Sequence, residues 1–195
     1  MAGPAAGVLL RDALAGAEAA AFDTWLAEAF EPYDDGLWLL RAPSMIGAPP
    51  DAVAAGSFGI ERQAWTDDPD LPDMPRAIGY RPAEEIVLYA MAKGHNDHLV
   101  LGRLCLTLAR RFGAFIDFGG ALQPGTRPPG IPYLEPDAQQ SELLLASISS
   151  AVRAIPGTVF EFRYQTARET PWVNHVGDAG FLAAWLDHPR FHMIK

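Results

Sequence analysis

Residues 98–112 constrain the fold more than any other stretch. Read at helical period, Arg103, Thr107, Arg110 and Arg111 make one narrow polar stripe, and nearly every other position is apolar or small. Most of the circumference of such a helix needs cover, so the rest of the chain must supply a layer for it to lie against. Its ends are signalled too. Asp97 reads as the N-cap, the arginines of the last turn suit the negative helix end, and Gly113 supplies a left-handed stop. Ala114–Phe118 then reads as a strand ended by Gly119-Gly120.

The cover comes from short segments on either side. Ala5–Leu10 and Leu37–Leu40 are brief apolar runs, and Ser57–Trp65 reads as a third strand. Glu84–Met91 is apolar on both faces, as an interior strand is. Phe22, Trp25, Leu26, Ala29 and Phe30 recur at helical spacing, and a further helix opens at Ser141 with Leu145, Ile148, Val152 and Ile155 inward. In Thr158–Gln165, Phe160, Phe162 and Tyr164 alternate with Glu161, Arg163 and Gln165, which predicts a half-solvated strand; Trp172–Val176 returns it as a hairpin. Asp178 caps a short last helix, and Phe191–Ile194 reads as a final strand. Irregular loops are expected near 43–53, 66–82 and 123–136, where prolines gather. This order lacks the regular βα repeat of a doubly wound sheet. It predicts one α+β domain over 1–195, a mostly antiparallel or mixed sheet with about four helices packed on it.

A chain of 195 residues buries roughly 70% of its unfolded surface, enough for a core without staples. Cys105 is the only cysteine, so no intramolecular disulfide forms, and a reducing compartment is expected. Arg11 is the first basic residue and Asp12 and Glu18 interrupt the apolar start, unlike a signal peptide; no run is long enough to span a membrane. These features predict a cytoplasmic protein. The net charge is −9, and its distribution is uneven: residues 1–94 hold 15 acids and 6 bases, residues 95–195 hold 9 of each. That field repels phosphate backbones and disfavours nucleic acid as a partner, while it attracts a basic protein surface.

The densest chemical cluster is His95, Asn96, Asp97 and His98. Its H-x-x-H spacing is compatible with zinc, completed by Asp117 or a later histidine, but without H-E-x-x-H or a neighbouring cysteine it reads better as a helix start. His175 and Asp178 are a candidate acid–base pair, read more simply as a solvent-facing strand histidine beside a cap. Asp117 is an acid in an apolar strand and needs a partner if buried. No phosphate loop, dinucleotide fingerprint or nucleophile elbow occurs, so no cofactor, metal or catalytic residue is assigned. The strongest partner-binding candidates are Trp65, Asp67, Asp68, Asp70 and Asp73, an aromatic anchor beside clustered steering charges.

His98–Leu122, with the ending from His175 to Lys195, resembles an uncharacterised family of small bacterial proteins, a domain of unknown function. In size, acidity and architecture the chain is also similar to immunity proteins of polymorphic toxin systems. The resemblance implies a protein-binding role: neutralising a basic toxin or effector domain. The alternatives are a small hydrolase-like enzyme using His95, Asp97 and His98 or His175, and a structural or regulatory oligomer. For the central helix, Leu104 lies opposite the polar stripe, so Leu104→Ala should cost roughly 2–5 kcal/mol in a denaturant melt. A cost below about 1 kcal/mol would put the buried face elsewhere.

Overall fold

The computed structural model describes residues 3–69, 71–132, 137–167 and 169–194. The apolar helix forms as α3, His95–Phe112, with Val100, Leu101, Leu104, Cys105, Leu108 and Ala109 almost wholly buried. It lies across the strands β1, Ala5–Leu10, and β5, Glu84–Ala90. Three further helices share its side of the sheet: α1, Gly16–Ala29; α4, Ala138–Arg153; and α5, Ala179–Leu186. A fifth, α2, is only Met74–Ile78.

The remaining strands are β2, Phe30–Asp34; β3, Leu37–Leu40; β4, Phe58–Ala64; β6, Phe115–Asp117; β7, Val159–Gln165; and β8, Pro171–Gly177. Eight strands form one sheet in the order β2-β3-β4-β5-β1-β6-β8-β7, and each neighbouring pair is antiparallel. The α+β reading is therefore right, and the sheet is not mixed. Edge strand β2 carries a register shift between Pro32 and Asp34.

Alternation along each strand gives the sheet two unlike faces. Val8, Leu10, Phe58, Ile60, Ile86, Leu88, Ile116 and Val173 point to the helices and build the main core. Leu9, Phe115, Phe160, Phe162 and Val176 point the other way, into a smaller cluster with Leu71, Met74 and Ile78.

Several expectations need correction. The 66–82 segment is not a wholly exposed irregular loop: Leu71, Met74 and Ile78 are buried, and α2 closes part of the second face. Its Asp and Pro content hid three well-spaced apolar anchors. β2 was not anticipated, because Glu31, Pro32 and Asp34 show no apolar alternation and Asp34-Asp35-Gly36 carries a turn signal. Helix α4 begins at Ala138, capped by Asp137 through the Gln140 amide, ahead of Ser141. The polar side of β7 is solvated in part, as expected, with Arg163 and Gln165 exposed, but it also looks towards α4: Glu161 accepts from Ser149 Oγ at 2.9 Å, and Arg163 pairs with Glu142 at 3.0 Å. Phe191–Ile194 docks on the body without forming a strand, tied by the Ala5 amide to the Ile194 carbonyl at 2.8 Å.

Asp97 is not the N-cap either. Gly94 takes that place, and Asp97, one turn in, is fully buried. Its Oδ2 accepts from the Gly94 amide at 2.8 Å, and its Oδ1 accepts from the Ala55 and Gly56 amides at 2.8 and 3.2 Å. One carboxylate thereby starts the central helix and anchors the chain entering β4. Asp97→Ala would leave three donors without their acceptor, so a cost of at least about 3 kcal/mol is expected in urea melts. A cost under about 1 kcal/mol would mean that water replaces the carboxylate.

Candidate functional site

The face turned away from the four longer helices is the chemically distinctive one. Partners opposite one another in an antiparallel pair point to the same side, so the registers assign its residues directly. Glu31 and Asp34 of β2, Glu61 of β4, Glu85 of β5 and Asp117 of β6 all point there. Among the described strand residues of that face, none is Lys, Arg or His. The helix-covered face by contrast carries Arg62, Arg163 and His175. At the β2–β5 end the acidic face is uncovered, with Glu31, Glu61 and Gln63 exposed and Tyr89 half-buried. Tyr89 lies over Gly59, where a Cβ would meet the ring at 1.9 Å, and its hydroxyl donates to Glu61 at 2.6 Å.

Nearer the centre, the face dips into a cleft of about 160 Å³ lined by Asp68, Leu71, Asp117, Gly119, Tyr164 and Asn174. Asp117 Oδ1 accepts from the Gly119 amide and from Asn174 Nδ2, both at 2.8 Å. Asn174 is 6% exposed, and its Oδ1 has no hydrogen-bond partner among the described residues. Glu85 approaches from the other side of β1. Its carboxylate lies over Gly7, where a Cβ would come within 1.9 Å of Oε1, and Gly7 is the register partner of Asp117. A larger residue at position 7 would displace Glu85.

Burial pushes the Asp117 carboxyl above its ordinary value, and the charge of Asp68 adds to the effect against the hydrogen bonds from Asn174 and Gly119. Burial likewise pushes Glu85 up, aided by Asp117 and opposed by the hydrogen bond from Gln63. Among the described residues that line the cleft, none is Lys, Arg or His.

The residues expected from sequence are dispersed. Trp65 is half-buried, with the Arg81 guanidinium 5.2 Å from its ring centroid. Asp67 pairs with the same arginine at 2.6 Å, so its charge is partly answered. Asp68 is the member that reaches the cleft. Asp73 is exposed at the start of α2, and Asp70 lies outside the described residues.

The histidine constellations do not assemble. His95 is exposed, while His98 Nδ1 accepts from the Met193 amide at 3.0 Å. Among the described residues, no three His, Cys, Asp or Glu side chains stand where they could hold a metal ion. His175 is not solvent-facing but wholly buried, and its neighbour is Glu161, not Asp178, which caps α5. Its Nδ1 accepts from the Leu122 amide at 3.1 Å, and its Nε2 stands 3.6 Å from Glu161 Oε1. That contact holds the Glu161 carboxyl below its usual range despite burial, with help from Ser149 and Arg153. Burial pushes the Cys105 thiol up, as befits an inert core residue.

Residues 2–195 match a family of unknown function, DUF6368. The chain belongs to that family. No curated protein and no solved structure matches it. Among the described residues, no helix of this DUF6368 protein is long and apolar enough to cross a membrane.

A carboxyl held above its ordinary value binds its proton more tightly in the folded than in the unfolded chain. Asp117 therefore lowers stability as pH rises from 3.8 through its raised folded value. Asp117→Asn should be more stable than wild type at pH 7, and its relative advantage should shrink as the pH falls below 3.8. Paired thermal melts at the two pH values check this. A variant that loses more stability at pH 7 than in acid would mean that the charge of Asp117 is paired in the folded protein.

Proposed function

We propose that the protein is a binding protein of the immunity type, whose uncovered acidic face docks the basic surface of a toxin or effector domain. The observation that carries this reading is the sorting of charge between the two sheet faces. Glu31, Asp34, Glu61, Glu85 and Asp117 share one face with no strand-borne cation, and the uncovered end of that face belongs to the acid-rich first half of the chain. An acidic surface with half-buried Leu37, Leu39, Val87 and Tyr89 set among the carboxylates offers apolar contact area together with steering charge. Asp68 lines the cleft further along the same face.

The test uses a partner recovered by affinity capture and then purified. Association is measured by stopped flow at two salt concentrations. Wild type should associate faster at low salt, and Glu31→Gln with Glu61→Gln should slow association roughly tenfold there while leaving dissociation nearly unchanged. Trp65→Ala should act on dissociation if its ring enters the interface. The Glu31/Glu61 variant should melt near wild type, whereas Trp65→Ala, which removes a ring packed on the second-face cluster, should melt lower. Salt-independent association of the wild-type protein would reduce the acidic face to a device for solubility.

A further inference from the structure

We infer that β7 is a dimerisation edge: it pairs antiparallel with β7 of a second copy across a twofold axis at Phe162, joining two sheets into one. This is independent of the docking reading above. β7 is the last strand of the sheet and pairs with β8 alone. The bonds that flank the hairpin fix which of its residues exchange hydrogen bonds with β8. The Asp178 amide donates to the Thr158 carbonyl and the Thr166 amide to the Thr170 carbonyl. Bonded pairs alternate with unbonded ones, so Phe160, Phe162 and Tyr164 are the residues bonded to β8. Val159, Glu161, Arg163 and Gln165 turn their amides and carbonyls outwards, and no backbone bond from another described residue meets them there. β7 also lacks what blunts an open edge. β2, at the other end, is broken by Pro32 and a register shift, whereas β7 holds 7 residues in unbroken register without a proline.

The residues of β7 suit an antiparallel copy of themselves. With the axis at Phe162, Val159 lies opposite Gln165 of the second copy, and Glu161 lies opposite its Arg163. The twofold repeats both pairings, so every outward residue is bonded and each charge meets its opposite. On the open face Phe160 lies opposite Tyr164 and Phe162 opposite itself. That prolongs the aromatic row in which Phe160 and Phe162 already stand 6.4 Å apart. Moving the axis to Glu161 or to Arg163 would set like charges against each other. The helical side fits as well. Glu142, Ser149 and Arg153 of α4 bond to Arg163 and Glu161, so that side of the helix overhangs β7. Leu143, Ala146 and Ser150 lie beside it at helical spacing and are exposed, Leu143 by 58%. α4 packs on both β8 and β7. With strands about 4.8 Å apart, a helix over the gap between them meets its twofold mate about 10 Å away, close to the distance at which helices pack. Repulsion does not oppose the contact, since residues 95–195 hold 9 acids and 9 bases and the acid-bearing strands β2 to β5 lie towards the far end of each sheet. The interrupted β2 cannot repeat the pairing, so assembly closes at two copies.

Sedimentation equilibrium of the full chain over roughly 1–100 µM should show a reversible dimer. Arg163→Pro removes an outward amide and leaves the ladder to β8 intact. It should weaken the dimer at least about tenfold, with the circular dichroism of the folded protein retained. Phe162→Cys should form an intermolecular disulfide on mild oxidation, because residues opposed in an unbonded pair lie about 4.5 Å apart at Cα. Phe160→Cys, opposite Tyr164 of the second copy, should not cross-link. The native Cys105 is buried and does not compete. A wild-type protein that stays monomeric over the whole range overturns the inference and leaves the edge to a strand from another protein. A dimer undiminished by Arg163→Pro overturns it too, since the contact then lies on another surface. Any result other than cross-linking of Phe162→Cys alone overturns the register. If Arg163→Pro fails to fold, the wild-type mass and the two cysteine variants decide by themselves.

Discussion

Everything in this architecture follows from the need to cover one helix. α3 is buried on all sides but the stripe that carries Arg103, Thr107, Arg110 and Arg111, and a single sheet can shield only part of such a cylinder. The helix rests on the central strands β1 and β5, while α5 packs along it, with Gly102 allowing Leu186 and Phe191 to close in. Phe22 of α1 reaches Phe112 at the other end, with ring centroids 6.3 Å apart. Meeting that demand commits four helices to one side of the sheet. The other side is left with one short helix to cover eight strands, and its remaining area must be polar enough to stand in water.

That asymmetry is what makes a functional face available. On the helical side a charge must be partnered, as Arg62 is by Glu84 and by the Leu14 carbonyl, or Glu161 by Ser149, Arg153 and His175. On the open side the described strands carry carboxylates and no Lys, Arg or His, and two of those carboxylates are held above their usual range across the bare backbone of Gly7. A fold selected for stability alone has little reason to place Asp117 beside an orphaned amide oxygen. Such local disadvantage is commonly kept where binding gains from it.

The regular parts of the fold were legible in the sequence, because periodicity reports burial on one or both faces. β1, β3 and α3 with its Gly113 stop came from pattern alone, as did β8 and the Asp178 cap. α2 was not legible: its anchors Leu71, Met74 and Ile78 are spaced among prolines and aspartates that argue for a loop. The polar side of β7 was legible only in part. Alternation separates the two faces of a strand, and Arg163 and Gln165 do meet water, but it does not say that Glu161 on the same side reaches Ser149 of a helix. The candidate site was visible only in fragments. Asp117 stood out as an acid in an apolar strand, yet its company depends on sheet order, which brings Asn174 from 57 residues away. A glycine inside the apolar run of β1 was the one local hint that something approaches the backbone closely.

The bulge in β2 bears on how any partner engages this protein. An edge strand normally offers a row of free amides and carbonyls on which another chain can extend the sheet. Here Pro32 lacks an amide hydrogen, and the register breaks between Pro32 and Asp34, so that row is interrupted at its middle. The border nearest the uncovered carboxylates is thus a poor template for backbone pairing. Recognition at that end has to proceed through side chains, which discriminate between partners, whereas a backbone ladder accepts almost any extended peptide. The same interruption guards a crowded solution of identical molecules against zipping together edge to edge.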